Sequence, residues 1–465
     1  MTSLLNALSS GKTSLLTNQK SLEIVGNNIS NVNTPGYSRQ RARLTDIPSI
    51  SYGNFFIGQG VTVSDVSRDY SLFITKQLQN KTVDYGEETG KSNILQELER
   101  IFNVSENNLA SQINNFFDSW QSLTTNPSGQ VERDMVIQQG QLLGQSFNSI
   151  TDELDTLERN INGEITTGVA AVNEKLAEVA RLNDRINLIE SSGQSANAAR
   201  DQRDLLIQDL SQTLGVQTYT DNRGMLCVQL PGGIPLVTGS TAATISTVTS
   251  GTNVNLQVNI AGATRAVDLD SMGGQFKGMF EMRDVFIKGL RDDLNTLAVD
   301  LTTAVNEYHV DGYGSDGETG RLFFNDLSAL PPDQVASRNV MVAITDVSQV
   351  AAAGNPAAAP GDNENALRIA QLETTHRVGT TNNTFDSFFS QMVATVGVEA
   401  ARNNFALTGA SDAVTQLQIM RDGYSGVSLE EEMIDLIQYQ RGFQSSAKYL
   451  SSVDELMTTL LQMKN

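Results

Sequence analysis

Gly11-Lys12-Thr13 is the first place along this 465-residue chain where residue types and spacing could do chemistry, since glycine followed by lysine and a hydroxyl ends a phosphate-binding loop. That loop needs another glycine where Asn6 stands, and no strand-like run leads into it, so the backbone amides that would cradle a phosphate are not offered. The acidic stretch Asp311-Gly312-Tyr313-Gly314-Ser315-Asp316-Gly317 has carboxylates for a hard cation. Its oxygens miss the alternating positions of a calcium loop, and a solvated turn accounts for it better. His309 and His376 are the only histidines and have no cysteines close by, which argues against zinc. Cys227, the single cysteine, lacks a basic or histidine neighbour to activate a thiolate and reads as a small buried strand residue. Trp120, with Phe116 and Phe117 at helical spacing, reads as core. No nucleophile, base and orienting group can be assembled, so catalytic, metal and cofactor sites are all left without residues to carry them.

What the chain does carry is periodicity at both ends. Leu4, Leu8, Gly11, Leu15, Asn18, Leu22, Val25, Ile29 and Val32 follow one another by alternating steps of four and three, which places them on one helical face. Met433, Leu436, Gln440, Phe443, Ala447, Leu450, Val453, Met457 and Leu460 keep nearly the same rhythm. Two such seams invite pairing with each other or with neighbouring molecules, although helices facing a globular core use the same spacing. The first helix should end before Asn33-Thr34-Pro35-Gly36, because Pro35 biases Thr34 away from the helical region and Gly36 permits a left-handed turn. Ser428 with Glu431 matches a capping box, so the last helix should start there and run almost to Asn465. Residues 1–47 carry a net charge of +3 and residues 428–465 a net of −3, which favours association of the two ends. Exposed pairs are each worth only about 0.2–1 kcal/mol, so they steer register more than they stabilise.

The interior reads differently. From about Tyr70 to Leu214 the apolar spacing is helical, with breaks at Asn126-Pro127-Ser128-Gly129 and Ser191-Ser192-Gly193. After Gly215 the period becomes two, as at Leu226, Val228 and Leu230 and again at Val254, Leu256, Val258 and Ile260, with a turn at Asp221-Asn222-Arg223-Gly224. Helical spacing returns from Phe280 to Tyr308, a brief strand is expected at Val340, Val342 and Ile344, and helices resume from Asn365. The expected fold is mainly α with a small β domain, a multidomain α+β chain in which discontinuous domains nest and the N- and C-terminal helices pair as a coiled coil. The expected domains are a terminal coiled-coil unit of residues 1–50 plus 420–465, a mainly helical middle of 51–214 plus 275–419, and a small β domain of 215–274.

Composition limits the partners. Lys and Arg total 32 against 53 Asp and Glu, a net charge of −21 with no basic run, and a nucleic-acid groove needs clustered cations. No stretch approaches the ~20 apolar residues of a membrane span, and residues 1–18 lack the pattern of a secretory signal. Taken alone, this describes a cytoplasmic protein such as a coiled-coil adaptor. A single cysteine excludes an internal disulfide, leaving stability to packing and subunit contacts. Arg39, Arg41 and Arg43 form either a solvated edge or a set of guanidinium forks for acidic surfaces of adjacent subunits.

The stretch Gly26-Asn27-Asn28-Ile29-Ser30-Asn31-Val32-Asn33-Thr34-Pro35-Gly36-Tyr37-Ser38-Arg39-Gln40 resembles the signature of bacterial flagellar rod, hook and hook-associated proteins. Its Ser38-Arg39-Gln40 ending points to the hook-associated protein 1 (FlgK) family. Further blocks agree: Phe116-Phe117 with Trp120, Leu123, Asn126-Pro127 and Arg133; Asp201-Gln202-Arg203-Asp204; Gly361-Asp362-Asn363-Glu364-Asn365-Ala366-Leu367; and Leu429 through Leu456. The resemblance spans almost the whole chain. Gly442 stands where the family commonly has alanine, at a helix-propensity cost of about 0.8–1 kcal/mol, and the compact middle implies that a large outer domain is absent. By resemblance the chain is a structural subunit at the junction of hook and filament, or another flagellar axial protein (hook protein or the second junction protein). The resemblance implies a homo-oligomeric ring, contacts with hook protein and the second hook–filament junction protein, an export chaperone at the C-terminal helix, and export outside the cell without a cleaved signal. The assembly interface expected on these grounds comprises the seam residues Leu4, Leu8, Leu15, Leu22, Val25, Ile29, Met433, Leu436, Phe443, Leu450, Val453, Met457 and Leu460. It also takes the signature residues Asn27, Asn28, Asn31, Thr34, Gly36, Tyr37 and Arg39. The termini are expected to be disordered in the free monomer and to fold on assembly.

Overall fold

In the computed structural model the first helix, α1 (Thr2–Ser30), gives way to a turn at residues 31–36, where Gly36 takes a φ of +78°. The structure describes residues 2–52, 55–102, 108–327, 330–331 and 334–463. Next comes a ribbon the sequence reading did not anticipate. β1 (Gln40–Asp46) and β4 (Val61–Arg68) pair antiparallel, and β2 (Ile50–Tyr52) with β3 (Phe55–Ile57) continues the same hairpin outward. β1 holds only Ala42 and Leu44 as apolar residues and is mostly exposed, so it carries no alternation for a sequence reader to find. A boundary at residue 50 would cut this ribbon, because β1 finds its partner beyond it.

The helical body follows the expected breaks. α2 (Leu72–Phe102), α3 (Leu109–Thr125), α4 (Gln130–Ser191) and α5 (Asn197–Leu214) precede the β region, and Gly215 in the left-handed conformation stops α5. At 62 residues, α4 spans about 90 Å and serves as the spine. Two small antiparallel sheets lie along it. One has the order β5 (Gln217–Thr220), β6 (Leu226–Gln229), β7 (Pro235–Thr238), β8 (Thr241–Ala242), and the other is β9 (Thr244–Ser250), β10 (Asn253–Ile260), β11 (Ala263–Ala266) with β10 central. Asparagines on α4 tie the spine to the sheets: Asn173 Nδ2 donates to Ile245 O at 2.7 Å, and its Oδ1 accepts from Ile245 N at 2.8 Å. Asn183 Nδ2 donates to Leu226 O and Gly239 O, both at 2.8 Å. Cys227 is buried on β6, as its surroundings led one to expect.

α6 (Gly274–Glu281) runs through one π turn at Met282–Ile287 into α7 (Lys288–Asp311), and the buried Arg283 of that turn donates to Asn162 Oδ1 at 2.6 Å. The strand expected at Val340–Ile344 is absent. Val342 makes a single bridge with Phe324, while the segment lies flat on α4 where Gly140 and Gly144 leave room for it. α8 (Glu364–Thr375), α9 (Phe385–Ser425) and α10 (Leu429–Gln462) close the chain, α9 lying antiparallel on α2 with Phe389 against Phe102 and Asn403 Nδ2 donating to Glu88 O. One continuous apolar core runs from Ile94 to Val396, built around Phe116, Phe117, Trp120, Phe323 and Phe324. The fold is therefore mainly α with small antiparallel sheets, and its long terminal helices are paired.

Candidate assembly interface

α1 and α10 pack antiparallel, and small residues let them approach. A Cβ on Gly11 would stand 2.9 Å from both Leu450 and Tyr449, Ser14 Oγ lies 2.9 Å from Ser446 Oγ, and a Cβ on Gly442 would stand 2.6 Å from Asn18 Oδ1. The glycine that departs from the family pattern thus faces Asn18 across the seam. Val25 and Val453 are buried, whereas Leu4, Leu8, Leu15, Leu22, Ile29, Leu436, Phe443, Leu450 and Met457 are half-buried, and Met433 and Leu460 stay exposed. Two helices cannot cover each other completely. Leu5 and Leu16 on α1 and Ile434, Ile437, Leu456 and Leu461 on α10 face outward, with Ile434 65% exposed. At the tip of the ribbon Phe55 and Phe56 are 73% and 78% exposed.

The asparagine-rich signature is a clasp. Asn28 Nδ2 donates to Gln40 O at 2.9 Å and to Glu432 Oε2 at 3.0 Å, while its Oδ1 accepts from Gln40 N at 3.0 Å. The Tyr37 hydroxyl sits 2.9 Å from both Asn27 Oδ1 and Asn28 Oδ1. Burial, helped by the Asp201 and Glu432 carboxylates, pushes that phenol up to about 12. Asn31 Nδ2 donates to Asn27 O at 2.9 Å, and Thr34 Oγ1 donates to Asn31 Oδ1 at 3.1 Å. Gly36 brings the turn against Leu205 of α5.

Arg39 departs from the expectation of reaching an adjacent subunit. Its guanidinium meets Glu431, Glu432 (Nε to Oε1, 2.6 Å) and Asp435 (3.2 Å) of α10 in the same chain. Burial alone would lower its pKa, but Glu431 and Glu432 more than offset that, and the group is held above its ordinary value. This also revises the capping box at α10. Ser428 accepts from Glu431 N as expected, but the Glu431 carboxylate goes to Arg39 instead of reaching back. Arg41 pairs with Asp69 at 2.8 Å, and Arg43 is exposed on β1 opposite Asp65.

A second polar cluster was missed by sequence reasoning. Asp201 accepts from Ser38 N (3.0 Å), Ser38 Oγ (2.8 Å) and Arg68 (2.6 Å), and Arg68 also pairs with Asp204 at 2.8 Å. Its only trace in the sequence is the block Asp201-Gln202-Arg203-Asp204, with two carboxylates one helical turn apart. Elsewhere the candidate groups serve structure. His309 lies between Arg321 O and Ala351 N, and Asp316 takes Arg321 and the Glu318 amide. Among the described residues no helix is long and apolar enough to cross a membrane.

Comparison with known proteins gives three family matches. The flagellar hook-associated protein FlgK helical domain matches residues 95–324, the flagella basal body rod protein family matches residues 8–37, and the flagellar basal body rod FlgEFG protein C-terminal family matches residues 423–463. The chain is 28% identical to flagellar hook-associated protein 1 of Bacillus subtilis, covering 99% of this chain and 98% of that protein. It is 24% identical to flagellar hook-associated protein 1 of Escherichia coli and 25% identical to that of Salmonella typhimurium, each over the full length of both chains. Those two alignments run to 550 and 557 positions, so the enteric relatives carry segments that this 465-residue chain lacks. The solved structure of the flagellar hook junction protein FlgK from Burkholderia pseudomallei shares the fold, with a TM-score of 0.67 at 16% identity over 76% of this chain and 100% of that one.

Proposed function

The chain belongs to the FlgK family of flagellar hook-associated proteins and is a structural component of the hook–filament junction; from that premise we propose that it builds the junction by self-association through its terminal unit. The observation that carries this reading is the open flank of the α1/α10 pair, where Leu5, Leu16, Ile434, Ile437, Leu456 and Leu461 stay 46–65% exposed. Covering what remains exposed gains each such side chain about 1–1.5 kcal/mol, and neighbouring copies in a ring supply the cover. The seam residues hold the pair together, and the signature residues fix the turn that presents it. The terminal unit in this reading includes the ribbon up to Arg68, the helical body takes the residues between it and α10, and residues 215–274 form the β domain.

The flagellar setting implies contact with other axial proteins. In finer terms, hook protein lies below this subunit, the second junction protein lies above it, and an export chaperone shields α10 before the chain leaves the cell uncleaved for the filament base. The role is mechanical and needs no catalytic step or cofactor. The test is a double variant, Ile434→Asp with Ile437→Asp, at positions already exposed in the single chain. Its far-ultraviolet circular dichroism should match wild type, while the concentration needed for self-association in sedimentation rises roughly tenfold or more. Assembly at the wild-type concentration would refute the reading.

A further inference from the structure

The apolar core that unites the helical body with the sheets contains no residue before Ile94 and none after Val396 among the described residues. The terminal unit therefore shares no core with the body, and something other than packing must set the angle between them. An open cleft of about 620 Å³ separates α1 from α5, lined by Lys20, Glu23 and Asn31 on one side and by Asn197, Gln202 and Leu205 on the other. The chain crosses between the units twice, before α2 and before α10, and both crossings meet at one residue. Asp69 N donates to Arg39 O, and Arg39 N donates to Ser425 O, each at 2.8 Å. Two crossings at one point make a hinge, and domains joined without a large apolar interface move relative to each other by default.

We propose that Arg68, Asp201 and Asp204, with Ser38, form an orientation lock that fixes the angle of the paired terminal helices on the body. The cluster holds the unit off the hinge point. Arg68 ends β4 and bridges Asp201 and Asp204 on α5, while Ser38 donates its amide and its hydroxyl to Asp201. Asn197 Nδ2 donating to Val66 O (2.6 Å) and Ser195 Oγ donating to Asp65 Oδ1 (2.7 Å) extend the attachment along β4. The guanidinium also stacks on Tyr70 at 4.2 Å, so its position is set from three sides. Arg68 and Asp201 are nearly buried, and directional charged bonds of this kind select one register, where an apolar contact would tolerate sliding. The lock also gives the Asp201–Asp204 block and Ser38 a shared purpose: they key this terminal unit to this body. They are positioning residues.

The lock is tested by distance measurement on the full-length monomer. In a Cys227→Ser background, spin labels at Lys12→Cys on α1 and Arg181→Cys on α4 report the angle between the units. The wild-type background should give one narrow distance distribution. Arg68→Met, and separately Asp201→Asn with Asp204→Asn, should roughly double its width, while amide protection across α4 and α7 stays as in wild type. Arg68→Lys, which keeps the charge without the fork, should fall between them. Should Arg68→Met fail to fold, Ser38→Ala removes the hydroxyl hydrogen bond to Asp201 without stranding a charge and gives the same broadening at smaller amplitude. A distribution that stays narrow in the folded variants overturns the proposal, as does loss of protection confined to α5 without broadening, which would mean that the cluster only stabilises that helix.

Discussion

His309 has no solvent contact, its Nδ1 lies 2.7 Å from Arg321 O, and its Nε2 accepts from Ala351 N at 3.1 Å. Those partners require the neutral ring with its proton on Nδ1. Burial drives its pKa down to about 4 from an ordinary 6.5, with the Arg321 charge acting in the same direction and the carbonyl against it. The unfolded chain therefore takes up a proton near pH 6.5 that the folded chain refuses until about pH 4. His309 leaves stability unchanged above that window and lowers it as pH falls through it, by about 3 kcal/mol at the lower end. Denaturant unfolding of the body at pH 7 and pH 4.5 should show this loss, and His309→Gln should flatten the slope; an unchanged slope would show that the histidine does not govern it. At this scale the sequence was legible where a residue acts by type. Trp120 as core and Cys227 as a strand residue needed no partner to be identified. Arg39 and Asp201 were illegible, because what they do depends on partners more than a hundred positions away, Glu432 for the one and Ser38 and Arg68 for the other, that only the fold brings near.

Helices with small residues at one spot can cross almost backbone to backbone, and the body contains such a crossing. A Cβ on Gly86 of α2 would lie 2.0 Å from the Gln212 carbonyl oxygen of α5, one on Gly90 would lie 2.3 Å from that of Gln275, and one on Gly278 of α6 would lie 2.2 Å from that of Glu87. Helix propensity alone says that alanine at these positions stabilises by about 1 kcal/mol. The crossing reverses the sign, because a backbone carbonyl cannot swing aside as a side chain does. Gly86→Ala should destabilise by about 1–3 kcal/mol in thermal unfolding, and a rise in melting temperature would show that the helices part freely. At Gly442, by contrast, the obstacle is the end of the Asn18 side chain, which can move, and alanine there should be nearly neutral. Element existence was legible wherever apolar spacing ran long, as in both terminal seams, the break at Asn126-Pro127 and the β region. It failed for the ribbon of residues 40–68, whose strands are mostly exposed and whose stability comes from lying along α1, with Thr17 Oγ1 donating to Val61 O at 3.0 Å.

A molecule whose core stops at Val396 and begins at Ile94 need not unfold as one piece. The body buries its aromatic cluster on every side, whereas the terminal unit relies on one seam of mostly half-buried residues and on the polar clasp at Asn28 and Arg39. Beyond the ribbon along α1 the two-helix seam has no second layer, so its backbone hydrogen bonds on the outer flank stay open to water. The single chain does pair its own ends, so the structure offers the helices a partner before any assembly forms, yet it leaves the outward apolar residues without one. The expected behaviour is a graded one. In the monomer, amides of residues 2–30 and 430–462 should exchange far faster than those of α4, and heating should release them in an earlier transition than the body. Assembly should then raise their protection toward that of the core, because neighbours cover the open flank and binding adds to folding stability by mass action. Protection in the isolated monomer equal to that of α4 would mean that the seam is already complete, and that the exposed leucines and isoleucines have no assembly to wait for.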